Sequence, residues 1–179
     1  MTFTITDSIP IRAPLERCFA LSTRIELVRE TLGMEAIGGV TRGHVGVGSR
    51  VVWRGWKFGL PTEHHTLITQ YAAPHSYELP PRQPGDAPVR FTAASFVDEQ
   101  ERGRFATFSH EHDFRQEEGC ETVLLDRVRF SMPFGWFGAL VGRWIMVPHV
   151  RRLMRERFAL IKRLAEGEGW REFVDAGRS

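Results

Sequence analysis

His110 and His112 lie two apart in the run Phe108-Ser109-His110-Glu111-His112-Asp113-Phe114. That spacing puts side chains on one face of a β-strand. Ala106, Phe108 and Phe114 share the histidines' face, while Phe105, Thr107, Ser109, Glu111 and Asp113 take the other. In the following strand Leu124, Asp126, Val128 and Phe130 stand together against Val123, Leu125, Arg127 and Arg129. A hairpin centred near Glu118, next to Gly119, sets His110 opposite Asp126 and His112 opposite Leu124. An imidazole backed by a carboxylate on an apolar wall can act as a general base, because the carboxylate orients the ring and raises its basicity. The same groups can contact a ligand, or they can form a cross-strand polar pair that satisfies itself. A His-x-His pair also points both rings one way, as a metal site requires, and His64 could supply a third ligand. No carboxylate or cysteine completes a recognisable ligand set in the sequence, so no metal is expected.

Arg157 is the other anomaly. At 100° per residue, Leu153, Met154, Phe158, Leu160, Ile161, Leu164 and Ala165 share one arc of a C-terminal helix, and Arg151, Arg152, Arg155, Glu156, Lys162 and Arg163 share the opposite arc. Arg157 falls within the apolar arc, where a charge needs a partner. It either pairs with a buried carboxylate such as Asp126 or reaches into a cavity to bind a ligand's acid group. Arg143 intrudes similarly, although Pro148 disturbs its phase. Trp53, Phe108, Phe114, Phe130, Phe158 and Trp144 are candidates for an apolar inner wall that a ligand would touch, and equally for plain core.

These side chains need a frame. Residues 2–11 alternate as a strand, and Pro14 opens a helical stretch with Leu15, Phe19, Leu27 and Leu32 apolar, broken into two short helices at Ser22 and Thr23. Strand patterns follow near 34–41, 50–58, 60–73, 89–98, 104–115 and 121–131, separated by Gly, Pro and acidic turns. A long helix over 137–166 closes the order, kinked or restarted at Pro148. The reading is α+β, β-αα-β6-α: a curved antiparallel sheet of about seven strands around one helix. A single domain over 1–166 and a short tail over 167–179 are expected.

The chain has 179 residues, 42% hydrophobic and 26% charged, a composition suited to one globular domain. Of its 24 basic residues only Lys57 and Lys162 are lysine, and the net charge of +2 gives no sign of nucleic-acid binding. Cys18 and Cys120 form neither a disulfide framework nor a zinc-type spacing, and the N-terminus lacks the pattern of a signal peptide, so a cytoplasmic location is expected. Phe130 to Val150 is apolar enough to test as a membrane span. Its two prolines, three glycines and central Arg143 argue against one, since a central arginine costs about 2.5–3.5 kcal/mol. No Ser-His-Asp signature, phosphate loop, dinucleotide-binding glycine pattern or nucleic-acid motif occurs.

The element order, Ala13-Pro14-Leu15-Glu16-Arg17-Cys18-Phe19, Phe96-Val97-Asp98-Glu99-Gln100 with Gly103 and Phe105, His110-Glu111-His112-Asp113-Phe114, Thr122 to Val128, Pro133-Phe134-Gly135 and Arg157 together resemble the SRPBCC (START/Bet v 1-like) superfamily, within it the bacterial polyketide cyclase/dehydrase and lipid-transport-like branch. The sequence departs from that branch at Arg104, Phe108 and Ser109. The resemblance implies a helix-grip fold, a ligand cavity and no cofactor. Three readings of function stay open. The chain binds or carries an apolar or amphipathic small molecule, lipid or polyketide-like, with His110, Asp126 and Arg157 fixing its orientation. It is instead a cofactor-independent cyclase/dehydrase in which His110 or His112, oriented by Asp126, abstracts a proton. Or it acts through its surface as an interaction or regulatory protein. Segment 131–142, rich in glycine and aromatics, is expected at the hand-over from sheet to helix, as packed loop, mobile mouth or weak membrane-surface contact.

Overall fold

The computed structural model describes residues 1–80, 88–119 and 121–174; Cys120 and the last residues of the expected tail lie outside them. Strands β1 (Thr2–Ile11), β2 (Glu35–Gly39), β3 (Arg50–Lys57), β4 (Leu60–Leu79), β5 (Val89–Arg102), β6 (Thr107–Glu117) and β7 (Thr122–Ser131) form one antiparallel sheet in the order β1-β7-β6-β5-β4-β3-β2. Helices α1 (Leu15–Ser22) and α2 (Ile25–Leu32) follow β1. Helix α3 (Gly135–Val141), a π-helical turn (Gly142–Met146) and α4 (Val147–Glu166) close the chain, with a short α5 (Arg171–Val174) beyond.

The first two helices separate where the sequence suggested. Thr23 is buried and its hydroxyl donates to the Ala20 carbonyl at 3.1 Å, a local bond that competes with helix continuation. Gly33, at φ +58°, ends α2 in the left-handed conformation that closes many helices.

Two strands run longer than expected. β4 continues past residue 73 to Leu79, and β5 past 98 to Arg102. Register shifts between His65 and Thr66, Ile68 and Gln70, and Ala72 and His75 bend β4 along its length. Pro74 falls inside the last of these irregularities, where its missing N–H breaks no regular ladder bond. These bulges allow a sheet this long to curl around a helix. The acidic run near Asp98 is therefore strand rather than turn, and the turn before β6 is held by the Gln100 carboxamide, which donates to the Phe105 carbonyl at 2.9 Å.

The long C-terminal helix is not continuous α-helix. The Val147 N–H reaches back five residues to the Gly142 carbonyl, and Pro148, which has no N–H to give, sits in the first turn of α4. The widened turn absorbs the proline in place of a simple kink. Beyond it the expected arc holds: Val150, Met154, Phe158, Leu160, Ile161 and Ala165 are buried, and Arg151, Arg152, Arg155 and Glu156 face solvent. Arg143 is exposed, so it is no counterpart of Arg157. Past Gly167 the chain turns back. Trp170 and Phe173 pack on the core, and the Arg17 guanidinium lies 4.2 Å above the Trp170 ring. Among the described residues no helix is long and apolar enough to cross a membrane.

Candidate functional site

Adjacent strands bring four titratable side chains to one place on the inner face of the sheet, and helix α4 adds a fifth charged group. In β5 and β6 Asp98 pairs with His110 and Phe96 with His112; in β6 and β7 His112 pairs with Asp126 and His110 with Val128. The β6–β7 hairpin is therefore centred at Gly119, one residue beyond the expected centre. His112 rather than His110 stands directly opposite Asp126, a correction that leaves every side chain on its expected face because the partner moves by two. His110 still reaches the same carboxylate diagonally.

The distances define a compact cluster. His112 Nδ1 is 2.8 Å from Asp126 Oδ1 and its Nε2 is 3.1 Å from Asp98 Oδ1. His110 Nε2 is 3.2 Å from Asp126 Oδ2 and its Nδ1 is 3.8 Å from Asp98 Oδ1. The two imidazole centroids are 3.7 Å apart, and Phe96 stacks on His112 at 4.1 Å. From α4, Arg157 Nη1 donates to Asp126 Oδ2 at 2.7 Å. Arg157 thus has the buried carboxylate partner that its place on the apolar arc required. Its other terminal nitrogen, Nη2, is buried with no hydrogen-bond partner among the described residues, as is His110 Nε2, whose approach to Asp126 is off the line of a hydrogen bond.

Charge balance follows from this packing. Burial alone would push Asp126 up, but the Arg157 guanidinium and the two imidazoles outweigh it and hold the carboxyl well below the usual carboxylate range. Asp98 is likewise raised by burial and lowered on balance, by the His112 bond and the nearby imidazoles. His110 is lowered by burial first and by His112 second. A neutral imidazole backed by a carboxylate and facing an apolar space can take a proton from a bound molecule, and its lone pair can equally ligate a cation.

The cluster forms the polar end of a cavity of about 450 Å³ between the sheet, α2 and α4. Trp53, Phe108, His110, His112 and Arg157, all expected at the site, line it, with Asp126 buried directly behind the histidines. Trp53 is fixed by its indole N–H, which donates to Thr66 Oγ1 at 3.2 Å. The other expected wall residues are corrected. Phe114, Phe130 and Phe158 do not line the cavity: Phe114 and Phe158 belong to the main core, and Phe130 packs with Phe3, Ile5 and Met154. Trp144 is 69% exposed, on the outer side of the π-helical turn. His64 also lines the cavity, yet the ligand atom that converges with the two histidines belongs to Asp98 and not to His64. The sequence pattern ends the strand at Asp98 and so does not single this residue out, whereas β5 runs on to Arg102 and holds Asp98 inside the sheet. The signal was a carboxylate two residues after Phe96 and four after Ala94, a charge on an apolar strand face analogous to Arg157 on its helix.

The cavity mouth has two aromatic lips. Phe58 and Gly59, both left-handed at φ +54° and +72°, make the two-residue turn between β3 and β4. Phe58 rests its ring edge-on against His149, 4.9 Å away. The second lip is α3 and the π-helical turn. Val141, Ile145 and Met146 line the cavity, while Phe134, Trp136, Phe137, Leu140 and Trp144 face outward.

No protein-family model matches the sequence, and no curated protein matches it. Solved structures do. A protein of Thermus thermophilus is similar at 18% identity and TM-score 0.54, covering 99% of this chain and 100% of the other. Norcoclaurine synthase from Thalictrum flavum, in complex with dopamine and hydroxybenzaldehyde, is similar at 12% identity and TM-score 0.55 over 92% of this chain and 86% of its own. A START superfamily protein from Mycobacterium smegmatis is similar at 10% identity and TM-score 0.56 over 90% and 98%. With seven antiparallel strands curved around a long C-terminal helix, and with likeness that runs along nine-tenths or more of the chain, this protein has the helix-grip fold of the SRPBCC (START/Bet v 1-like) superfamily.

Proposed function

We propose that this protein encloses an apolar or amphipathic small molecule, lipid or polyketide-like, with its polar group at the Arg157 end and its apolar body against Trp53, Phe96, Phe108, Val128 and Met154. The observation that carries this reading is the cavity of about 450 Å³, apolar along its wall and polar at one end, where Arg157 Nη2 is buried without a partner. That volume lies in the range of small-molecule sites. Each 100 Å² of apolar ligand surface buried there contributes roughly 2.5 kcal/mol before ordering costs. A ligand oxygen accepting from Nη2 relieves an unsatisfied donor, so the polar group gains more in this orientation than in the reverse one. The aromatic lips supply the route in: a membrane surface holding such molecules would receive Phe58, Phe134 and Trp136 and bring the mouth against the bilayer.

Native mass spectrometry of the purified protein, followed by extraction under denaturing conditions and titration with an apolar fluorescent probe, tests the reading. A stoichiometric adduct, or one probe bound per chain and displaced by fatty acid, is the expected result. Leu153→Trp, which fills the cavity from α4, should weaken probe binding with the far-UV circular dichroism unchanged. A chain that carries nothing and binds no probe would overturn it.

A further inference from the structure

We propose that Asp98, His110 and His112 hold a divalent transition-metal ion at the polar end of the cavity, with Asp126 and Arg157 as the layer that orients them. Each residue offers one ligand atom, and these atoms all lie within 4.8 Å of one another. The arrangement around them has a specific logic. Both histidines turn one ring nitrogen toward Asp126, at 2.8 and 3.2 Å, and the other toward Asp98, at 3.1 and 3.8 Å. Carboxylates only accept hydrogen bonds, and a neutral imidazole has a single N–H. If His112 directs its N–H to Asp126, and His110 carries its own on the nitrogen that lies 3.2 Å from the same carboxylate but off the line of a bond, two nitrogen lone pairs and an Asp98 oxygen are left converging on one point. Lone pairs that converge in a buried place repel unless a cation or extra protons sit among them. A divalent ion there makes contacts in place of repulsions.

The second layer fits as well. A ligating histidine commonly donates its other N–H to a carboxylate that sets the tautomer and aims the ring. Here Asp126 faces both histidines and is itself anchored by Arg157 at 2.7 Å. Asp126 and Arg157 cancel in charge, so the ion would meet one net negative ligand and two neutral ones. Two imidazoles and one carboxylate suit zinc, iron(II) or cobalt rather than calcium or magnesium, and such sets leave coordination positions open. Asp98, His110 and His112 all line the cavity, so the open positions face it. The corollary that an enclosed molecule's polar group would fill them rests on the binding reading above.

The test uses the full chain, stripped with a chelator and titrated with Co²⁺ while visible ligand-field absorption is followed, with Zn²⁺ as competitor. One Co²⁺ per chain, bleached by Zn²⁺, is expected. Asp98→Asn and His112→Gln should weaken Co²⁺ binding by at least about 100-fold, and Asp126→Asn by about 10- to 100-fold. His64→Ala should leave it within about twofold, because His64 lies outside the group of converging atoms. His110→Gln provides a further near-isosteric variant, and only those with wild-type circular dichroism are read. No Co²⁺ or Zn²⁺ bound to the wild type, or binding that Asp98→Asn and a folded histidine variant leave unchanged, overturns the proposal. Probe binding by the stripped protein is scored separately. Probe without metal sinks this inference alone, and metal without probe sinks the cavity reading alone.

Discussion

Arg157 holds a charge on the inner arc of α4 because Asp126 lies fully buried 2.7 Å away. Removing one partner of a buried pair is far costlier than the pair's net contribution, since the survivor stays desolvated and uncompensated. Arg157→Met should therefore destabilise the fold by about 3–5 kcal/mol in urea denaturation. Arg152, whose partner Glu156 is a solvent-facing i, i+4 neighbour, gives the contrast: Arg152→Ala should cost no more than about 0.5 kcal/mol. Equal losses for the two variants would refute the buried-pair account. His44 carries a pH dependence of its own. Its Nδ1 is 3.0 Å from the Thr23 hydroxyl and its Nε2 is 3.3 Å from Arg24 Nη1. Arginine can only donate, so Nε2 must be the acceptor and the neutral ring is the one that fits. Burial, then Arg24, lower its pKa from the ordinary 6.5. The unfolded chain therefore takes up this proton first on acidification. The stability involved is present above pH 6.5 and is lost as pH falls from there through the folded-state value. Melting temperatures of the wild type should fall across that window more steeply than those of His44→Gln; parallel curves would rule His44 out as the source.

The elements are shaped by a few close approaches. A Cβ on Gly142 would come within 2.3 Å of the Phe3 ring, which is itself stacked on Phe130 at 5.3 Å. The absence of a side chain there lets the π-helical turn lie directly on β1. Gly142→Ala should cost about 1–3 kcal/mol from overpacking, read as a lower urea midpoint. Gly135, with open space around the same hypothetical atom, makes no such contact, although its φ of +54° strains any other residue there. A Gly142→Ala protein as stable as the wild type would show that Phe3 moves aside freely. The bulges of β4 belong to this scale too. They set the curvature of the sheet, and the curvature decides which inward side chains touch α4 and which touch the cavity.

At the scale of the molecule, the apolar surface is unevenly placed. Phe134 and Trp136 are 82% and 81% exposed at the start of α3, the helix whose last residue, Val141, lines the cavity, and Phe58, which also lines the cavity, is exposed too. Exposed aromatics beside an apolar cavity are what docking to a bilayer requires, and Arg143, whose guanidinium lies 5.9 Å from the Trp144 ring centroid, adds positive charge among them. The protein should co-sediment with vesicles of anionic phospholipid more than with zwitterionic ones, and salt should weaken that binding. Trp136→Ser together with Phe134→Ser should abolish co-sedimentation while leaving probe binding in the cavity intact. Vesicle binding that survives both substitutions would locate the contact elsewhere, and wild type that ignores both vesicle types would remove membrane docking from the account.

Period-two alternation in the strands and the 3.6-residue period of α4 are local properties, so the sequence alone determined the element order, the faces of β6 and β7 and the misfit of Arg157. It also determined that His110, His112 and Asp126 share one face. Tertiary structure decided the rest. A turn centred one residue later chose which histidine opposes Asp126. The extension of β5 through Asp98 brought the second carboxylate to both rings. The docking of α1 and β1 against the sheet put Phe114 against Phe19 and Phe130 against Phe3, Phe158 joined the main core, and Trp144 was left on the surface. Each of these outcomes depends on register, curvature or docking, which arise when strands pair and elements pack over residues far apart in sequence, and periodicity within one segment carries no information about them.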